Sequence, residues 1–242
     1  MNSSLFSIFQ KYPNVFIALS EKKDGSMRIT DGWIKKENQE NRRNFFKAIG
    51  VDQDWVVSVD LCHSAKVALV TENEAGEIIF QTDGLITEEK EVFLSVTVAD
   101  CLPVFFYDFE KEAIGLAHAG RRGLAGGILE SMVSSFKESF SSETEDILAG
   151  VGPGISVCHY EVGEEIARIF HSISPDVLTF RNEQIFLDLK ETARIQLLRL
   201  GLKEQNIEVH PDCTFCLPDK YFSYRRDKPK EIKAMVAVMG IL

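Results

Sequence analysis

The strongest constraint on this chain is a series of short apolar runs of strand length, many rich in β-branched residues. Trp55 to Val59, Lys66 to Thr71, Phe93 to Val98, Leu102 to Tyr107, Ala113 to Ala117, Ile147 to Val151 and Met235 to Met239 all read this way. Glu77 to Phe80 runs into the turn-like Thr82-Asp83-Gly84. Such runs bury in sheets, and none approaches the ~20 apolar residues a transmembrane helix needs.

Helical periodicity is confined to four segments. Glu37 to Ile49 stops before Gly50. Leu124 to Phe140 carries Ile128, Leu129, Met132, Val133 and Phe136 at helical spacing. Glu164 to Ile173 is the third, and Leu187 to Leu200 ends at Gly201, which suits a C-cap. Strands dominate the first half and helices interleave later, which predicts an α+β protein with mixed sheets rather than regular βαβ winding. No repeat or linker divides the chain, so the expectation is one domain over residues 1–242.

Charge and cysteine content narrow the function. With 27 basic against 37 acidic residues the net charge is −10, which argues against a general nucleic-acid binder or electrostatic docking on a membrane. Five Cys cannot all pair internally, which points to a reducing compartment. The first residues have no basic start and no cleavage-site pattern, so the expected location is the cytoplasm.

Three loops concentrate chemistry: Leu61-Cys62-His63-Ser64, Ala99-Asp100-Cys101-Leu102-Pro103 and Ala117-His118-Ala119-Gly120-Arg121-Arg122-Gly123. Each places a His or Cys at a strand end, where scaffolds present functional groups. Together, His63, Cys101 and His118 form a His₂Cys set suited to zinc, with a fourth position open to water or substrate. The same residues also fit a cysteine hydrolase with Cys101 as nucleophile and His118 as base. They fit, equally, a buried thiol and two hydrogen-bonded imidazoles that share no site; spacing alone does not separate these readings.

Other signals are weaker. Arg121 and Arg122 precede a Gly-rich helix start and could hold phosphate, and Arg42-Arg43 is a second basic pair. Surface charge is the ordinary explanation of either pair. His210-Pro-Asp-Cys213-Thr-Phe-Cys216 resembles half of a structural zinc site, with only Cys158-His159 and His171 left to complete it. Packed thiols are the expectation there. Gly152-Pro153-Gly154 and Tyr160-Glu161-Val162-Gly163 bracket Cys158, and Phe222 to Asp227 is aromatic and basic.

The segments VADCLPVFFYD, GLAHAGRRGLAGGI, GPGISVCHYEVG and CTFCLPDKYFSYRRD resemble the YfiH/DUF152 family, long labelled laccase-domain or polyphenol oxidase proteins. The resemblance runs from about Asn41 to about Asp227. It implies a YfiH-like layered α/β/β/α sandwich with mixed sheets, a fold shared with a cysteine-hydrolase superfamily. It also implies a zinc site whose ligands map onto His63, Cys101 and His118. The activity implied is that of purine nucleoside phosphorylases acting on adenosine, inosine or methylthioadenosine, together with adenosine deamination. A peptidoglycan-precursor editing hydrolase, or a zinc-binding protein without turnover, are the alternatives.

On that reading Cys101, His118 and Asp100 are the catalytic residues, Asp100 orienting a ligand or acting as a base. Arg42, Ser64, Arg122 and Tyr224 are the substrate contacts. The partners would be a nucleoside and phosphate, with no nucleic acid or membrane, and the chain a monomer or weak homodimer. Several positions depart from the family pattern. Arg121 replaces a Trp, Leu61 replaces a Gln, and Lys-Pro-Lys-Glu follows Asp227 where the family has Gly-Arg. Multicopper laccase activity is excluded by ligand supply: five His cannot fill mononuclear and trinuclear copper centres, and no axial Met lies near Cys101.

Overall fold

The computed structural model describes residues 5–242; the start of the leader reading, residues 1–4, lies outside them. In chain order the elements are β1 (Val15–Leu19), α1 (Lys36–Ala48), β2 (Val56–Asp60), β3 (Val67–Leu69), β4 (Ile78–Phe80), β5 (Gly84–Thr87), β6 (Phe93–Val98), β7 (Leu102–Asp108) and β8 (Ala113–Ala119). There follow α2 (Arg121–Ala125), α3 (Ile128–Phe140), β9 (Ile147–Val151), β10 (Glu161–Val162), α4 (Glu164–Ile173), β11 (Leu178–Arg181) and β12 (Gln184–Leu187). The chain ends with α5 (Leu189–Arg199), β13 (Ile207–Val209), α6 (Tyr224–Asp227) and β14 (Met235–Ile241).

Two mixed sheets carry the fold. One has the order β1-β14-β6-β2-β4 and the other β13-β9-β7-β8-β5-β3, while β10-β12-β11 forms a small third sheet. The two large sheets pack face to face through Val57, Leu94, Val96, Phe105, Tyr107, Leu116 and Met239, among others. The outer face of the six-stranded sheet is covered by α3 and α5, with Phe106, Val104 and Ala149 meeting Met132, Phe136 and Leu197. The outer face of the five-stranded sheet packs Val56, Phe93 and Val236 against Phe45 and Phe46 of α1. This is the expected α/β/β/α layering.

The sequence of β7 shows why its run is continuously apolar. Side chains alternate between faces, and here both faces are buried: Phe105 and Tyr107 point between the sheets, Leu102, Val104 and Phe106 under the helices. At ~1.5–3 kcal/mol per fully buried large side chain, this strand and its neighbours β8 and β9 anchor the molecule.

One expectation needs correction. Leu124 to Phe140 is not one helix: it splits at Gly126-Gly127, with Gly127 at φ +85° in the left-handed region. The turn-like Thr82-Asp83-Gly84 stretch leads directly into β5, whose Gly84 pairs with Ala117. Helix α5 ends one residue earlier than expected, with Leu200 as its C-cap, and Gly201 follows in the left-handed region at φ +97°. Among the described residues no helix is long and apolar enough to cross a membrane.

Candidate metal centre

Strand pairing explains how three distant residues meet. β2 and β6 run parallel, so their C-terminal ends emerge on the same rim. From β2 the chain crosses to the six-stranded sheet through the loop that carries His63; from β6 it crosses through the turn that carries Cys101. β8 returns antiparallel to β7 and sets His118 opposite Pro103. The ligand atoms of His63, Cys101 and His118 consequently lie within 4.8 Å of one another, and the two imidazole centroids are 4.9 Å apart.

Asp83 organises this cluster. It is fully buried. One carboxylate oxygen accepts from the His63 N–H at 2.9 Å and faces His118 Nδ1 at 3.1 Å. The other accepts from the Ser64 N–H at 2.7 Å, the Ser64 hydroxyl at 2.9 Å and the Cys62 thiol at 3.2 Å. These bonds hold His63 at φ +58°, a conformation side chains rarely adopt. They also reserve Nδ1 of His118 for the carboxylate and turn Nε2 toward the cluster, the outer-sphere arrangement typical of metal-binding histidines.

Electrostatics follow the same geometry. Burial would raise the Asp83 pKa, but the hydrogen bonds from His118, Ser64 and Cys62 outweigh it and hold the carboxyl well below the usual range. Burial works against a charged His118, yet Cys101 and Asp83 beside it push its pKa up to about 9. Burial, then the neighbouring His118, pulls His63 down. Two nitrogens and one sulfur are a donor set suited to a transition metal.

Glycine makes room for the thiol. A Cβ on Gly120 would sit 2.5 Å from Cys101 Sγ, so the residue after Ala119 must lack a side chain. The three-residue set opens onto a cavity of about 510 Å³, within the range of small-molecule sites. Four guanidinium-bearing residues line it: Arg28, Arg121, Arg122 and Arg225. So do Tyr160 and Tyr224. Arg225 also lies over the Tyr160 ring at 5.0 Å.

A sequence model described as "Multi-copper polyphenol oxidoreductase laccase" matches residues 27–241. The chain belongs to this laccase-domain family. It is 36% identical over 194 residues to the purine nucleoside phosphorylase YlmD of Bacillus subtilis, covering 76% of this chain and 69% of that one. A mouse purine nucleoside phosphorylase is 31% identical over 194 residues, 78% of this chain but only 44% of the mouse protein. The crystal structure of the hypothetical protein YfiH of Bacillus licheniformis superposes with a TM-score of 0.88 at 28% identity, covering 94% and 93% of the two chains.

Against this laccase-domain frame the expected site residues divide. His63, Cys101 and His118 meet, and Arg122 and Tyr224 line the cavity. Asp100 lines it too, but both its oxygens are engaged: Oδ1 accepts from the Thr214 hydroxyl and Oδ2 from the Arg225 N–H, each at 2.7 Å. With φ at +83°, it is a tie between loops rather than a free base. Ser64 binds Asp83 and does not line the cavity.

Arg42 also lies off the cavity. It is buried under α1, donating to Met27 O, Ser58 Oγ and Ser95 Oγ, with its guanidinium over Phe46. Burial lowers its pKa to about 10. Removing the guanidinium strips a hydrogen bond from the Met27 carbonyl and from the serine hydroxyls, and a buried acceptor left unpaired costs ~1–3 kcal/mol. Arg42→Met should therefore cost roughly 1–3 kcal/mol in urea melts, and Arg42→Ala more, since it also opens a cavity. Neither should alter the KM for any phosphate-bearing substrate.

Sequence reasoning passed over Asp83, Arg28, Arg225 and Thr214. Asp83 reads as turn punctuation beside Gly84, and nothing local distinguishes it. The Tyr160 and Arg225 pair was within reach, since the two stand in the YEVG and SYRRD segments that carry the resemblance.

Proposed function

We propose that the chain is a zinc-dependent purine nucleoside phosphorylase, with adenosine deamination as a second activity of the same site. The observation that carries this is the open three-ligand cluster facing a cavity lined by four arginines and two tyrosines. The names of the relatives support the substrate class.

His63, Cys101 and His118 would hold the zinc, which supplies Lewis acidity to the cavity. Arg28, Arg121, Arg122 and Arg225 gather phosphate and offset its charge. The faces of Tyr160 and Tyr224 suit the flat purine. In phosphorolysis a phosphate oxygen bonds to ribose C1′ and the C1′–N9 bond breaks. The purine departs with the electron pair and takes up a proton. In deamination water adds at C6 of adenine and ammonia leaves. Asp83 keeps His118 in one tautomer throughout.

The test is direct. Zinc-loaded protein is incubated with adenosine, inosine or methylthioadenosine, with and without phosphate, and free purine, ribose 1-phosphate and inosine are followed. Phosphate-dependent release of purine is expected, and inosine from adenosine without phosphate marks deamination. Turnover of none of the three nucleosides would overturn the proposal. Arg122 is exposed at the cavity rim, and a hydrogen bond to a charged group is worth ~1.5–3 kcal/mol. Arg122→Met should raise the phosphate KM by about tenfold or more and leave the melting temperature unchanged.

One observation favours a second reading. Cys101, His118 and Asp83 stand in the order of a nucleophile, a base and an orienting carboxylate. An amide hydrolase of that kind would lose activity in Cys101→Ser while keeping its metal. Loss of both together supports the zinc enzyme.

A further inference from the structure

On the same rim, a second cluster of metal-type ligands forms outside the cavity. β9 and β13 are parallel neighbours, with Val151 opposite Val209, so the loops that follow them leave side by side. Their pairing continues into the loops: His210 N–H donates to Val151 O, Gly154 bridges to Cys213, and Thr214 N–H donates to Gly154 O at 3.1 Å. A tight turn places Cys158 and His159 on one loop, and the Cys216 N–H bond to Cys213 O folds the CxxC of the other.

The four side chains converge. Cys158 Sγ lies 3.6 Å from Cys213 Sγ and 3.5 Å from Cys216 Sγ, and Cys216 Sγ lies 3.3 Å from His159 Nδ1. All four ligand atoms fall within 4.8 Å of one another. Tetrahedral zinc, with bonds of ~2.3 Å to sulfur and ~2.0 Å to nitrogen, sets S···S edges of roughly 3.8 Å and S···N edges of roughly 3.6 Å. The Cys158–Cys213, Cys158–Cys216 and Cys216–His159 edges match to within a few tenths of an ångström, and the remaining three stay under 4.8 Å. We infer that Cys158, His159, Cys213 and Cys216 form a second, structural zinc site, closed by four protein ligands.

The surroundings fit a metal better than loosely packed thiols. The Ser156 N–H donates to Cys213 Sγ at 3.3 Å, and Phe215 stacks on the His159 ring at 4.0 Å between centroids, fixing its plane. Three thiolates, one neutral imidazole and Zn²⁺ carry one net negative charge. Two cations are anchored on the same two loops: Lys190 Nζ donates to His210 O and Asp212 O, both at 2.7 Å, and Arg181 donates to Val157 O and Cys158 O. A disulfide would use two of the thiols and leave the third, with His159, unexplained.

The placement gives the site a task. Tyr160 directly follows His159, while Thr214 lies within the CxxC and ties to Asp100. Tyr224 and Arg225 follow a few residues later and line the cavity. The metal would staple together two loops that shape the cavity wall. This does not depend on the nucleoside reading.

Metal content decides it. The purified full chain should hold two zinc ions, Cys101→Ser should keep one, and Cys101→Ser with Cys216→Ser should keep none. A cobalt-substituted Cys101→Ser protein should show the intense thiolate-to-cobalt charge-transfer bands of a three-sulfur tetrahedral site. That spectrum decides the matter even if the double variant fails to fold. His159→Ala should lower the melting temperature of Cys101→Ser protein and speed zinc loss to a chelator. A folded Cys101→Ser protein with no zinc and no such cobalt spectrum overturns the inference. So does a count of three free thiols, rather than five, in denatured, unreduced parent protein, which would reveal a disulfide.

Discussion

Asp83→Asn is expected to lower zinc affinity about 10–100-fold and to cost roughly 3–5 kcal/mol of stability. The carboxylate accepts from five donors, on His118, His63, Ser64 and Cys62. An amide can accept on one side only. If its NH₂ faces Ser64, it meets three groups that donate there, the Ser64 N–H, the Ser64 hydroxyl and the Cys62 thiol. If it faces His118, it becomes the donor to Nδ1 and drives the ring proton to Nε2, the nitrogen needed for the metal. Either placement damages the site. Because the Asp83 pKa is depressed in the fold, its stabilisation is fully present at neutral pH and is lost only as the pH falls below the ordinary carboxylate range. Chelator competition and urea melts measure the two effects. Unchanged zinc affinity would remove Asp83 from its positioning role.

Gly120→Ala is expected to abolish metal binding at the His63–Cys101–His118 cluster while sparing the fold. The new methyl would lie 2.5 Å from Cys101 Sγ and 3.7 Å from the His118 ring. Gly120 has φ −87° and ψ 177°, which alanine adopts freely, so the conflict is with the ligand and not the backbone. Gly163→Ala, where nothing lies within 4 Å of the added carbon, is the control. Zinc content should fall by one per chain in Gly120→Ala and not at all in the control, with melting temperatures within a few degrees of the parent. A Gly120→Ala protein with full zinc would show that Cys101 can move aside and still bind.

Much of the layering was legible because both faces of the central strands are buried. A run such as Leu102 to Tyr107 then needs no alternation and stands out against its flanks. β1, β5 and the short strands β10 to β13 were harder. β5 begins at Gly84, directly after a stretch that locally resembles a turn, and β11 and β12 leave Thr179, Phe180 and Gln184 exposed, so no strong apolar signal marks them. The break at Gly126-Gly127 was written in the sequence but outvoted by the helical spacing around it.

The sites divide along the same line. His63, Cys101 and His118 could be named as a set from residue type and strand-end position, and the motifs around them carried the family. Arg42 entered as a substrate contact through the family resemblance, and its side chain has no address until the helix bearing it is docked. Asp83 was invisible because its role lies in five long-range hydrogen bonds. Cys158, His159, Cys213 and Cys216 were read as packed thiols because the two pairs lie far apart along the chain. By itself, then, the sequence determined the central strands and the mixed α+β class, which depend on local pattern; the layering and the choice of His63, Cys101 and His118 among several readings rested on the family resemblance. Only the tertiary structure decided which groups share a site. Parallel pairing of β2 with β6, and of β9 with β13, brings remote loops to one rim, and such proximity is a property of the sheet register that no local segment encodes.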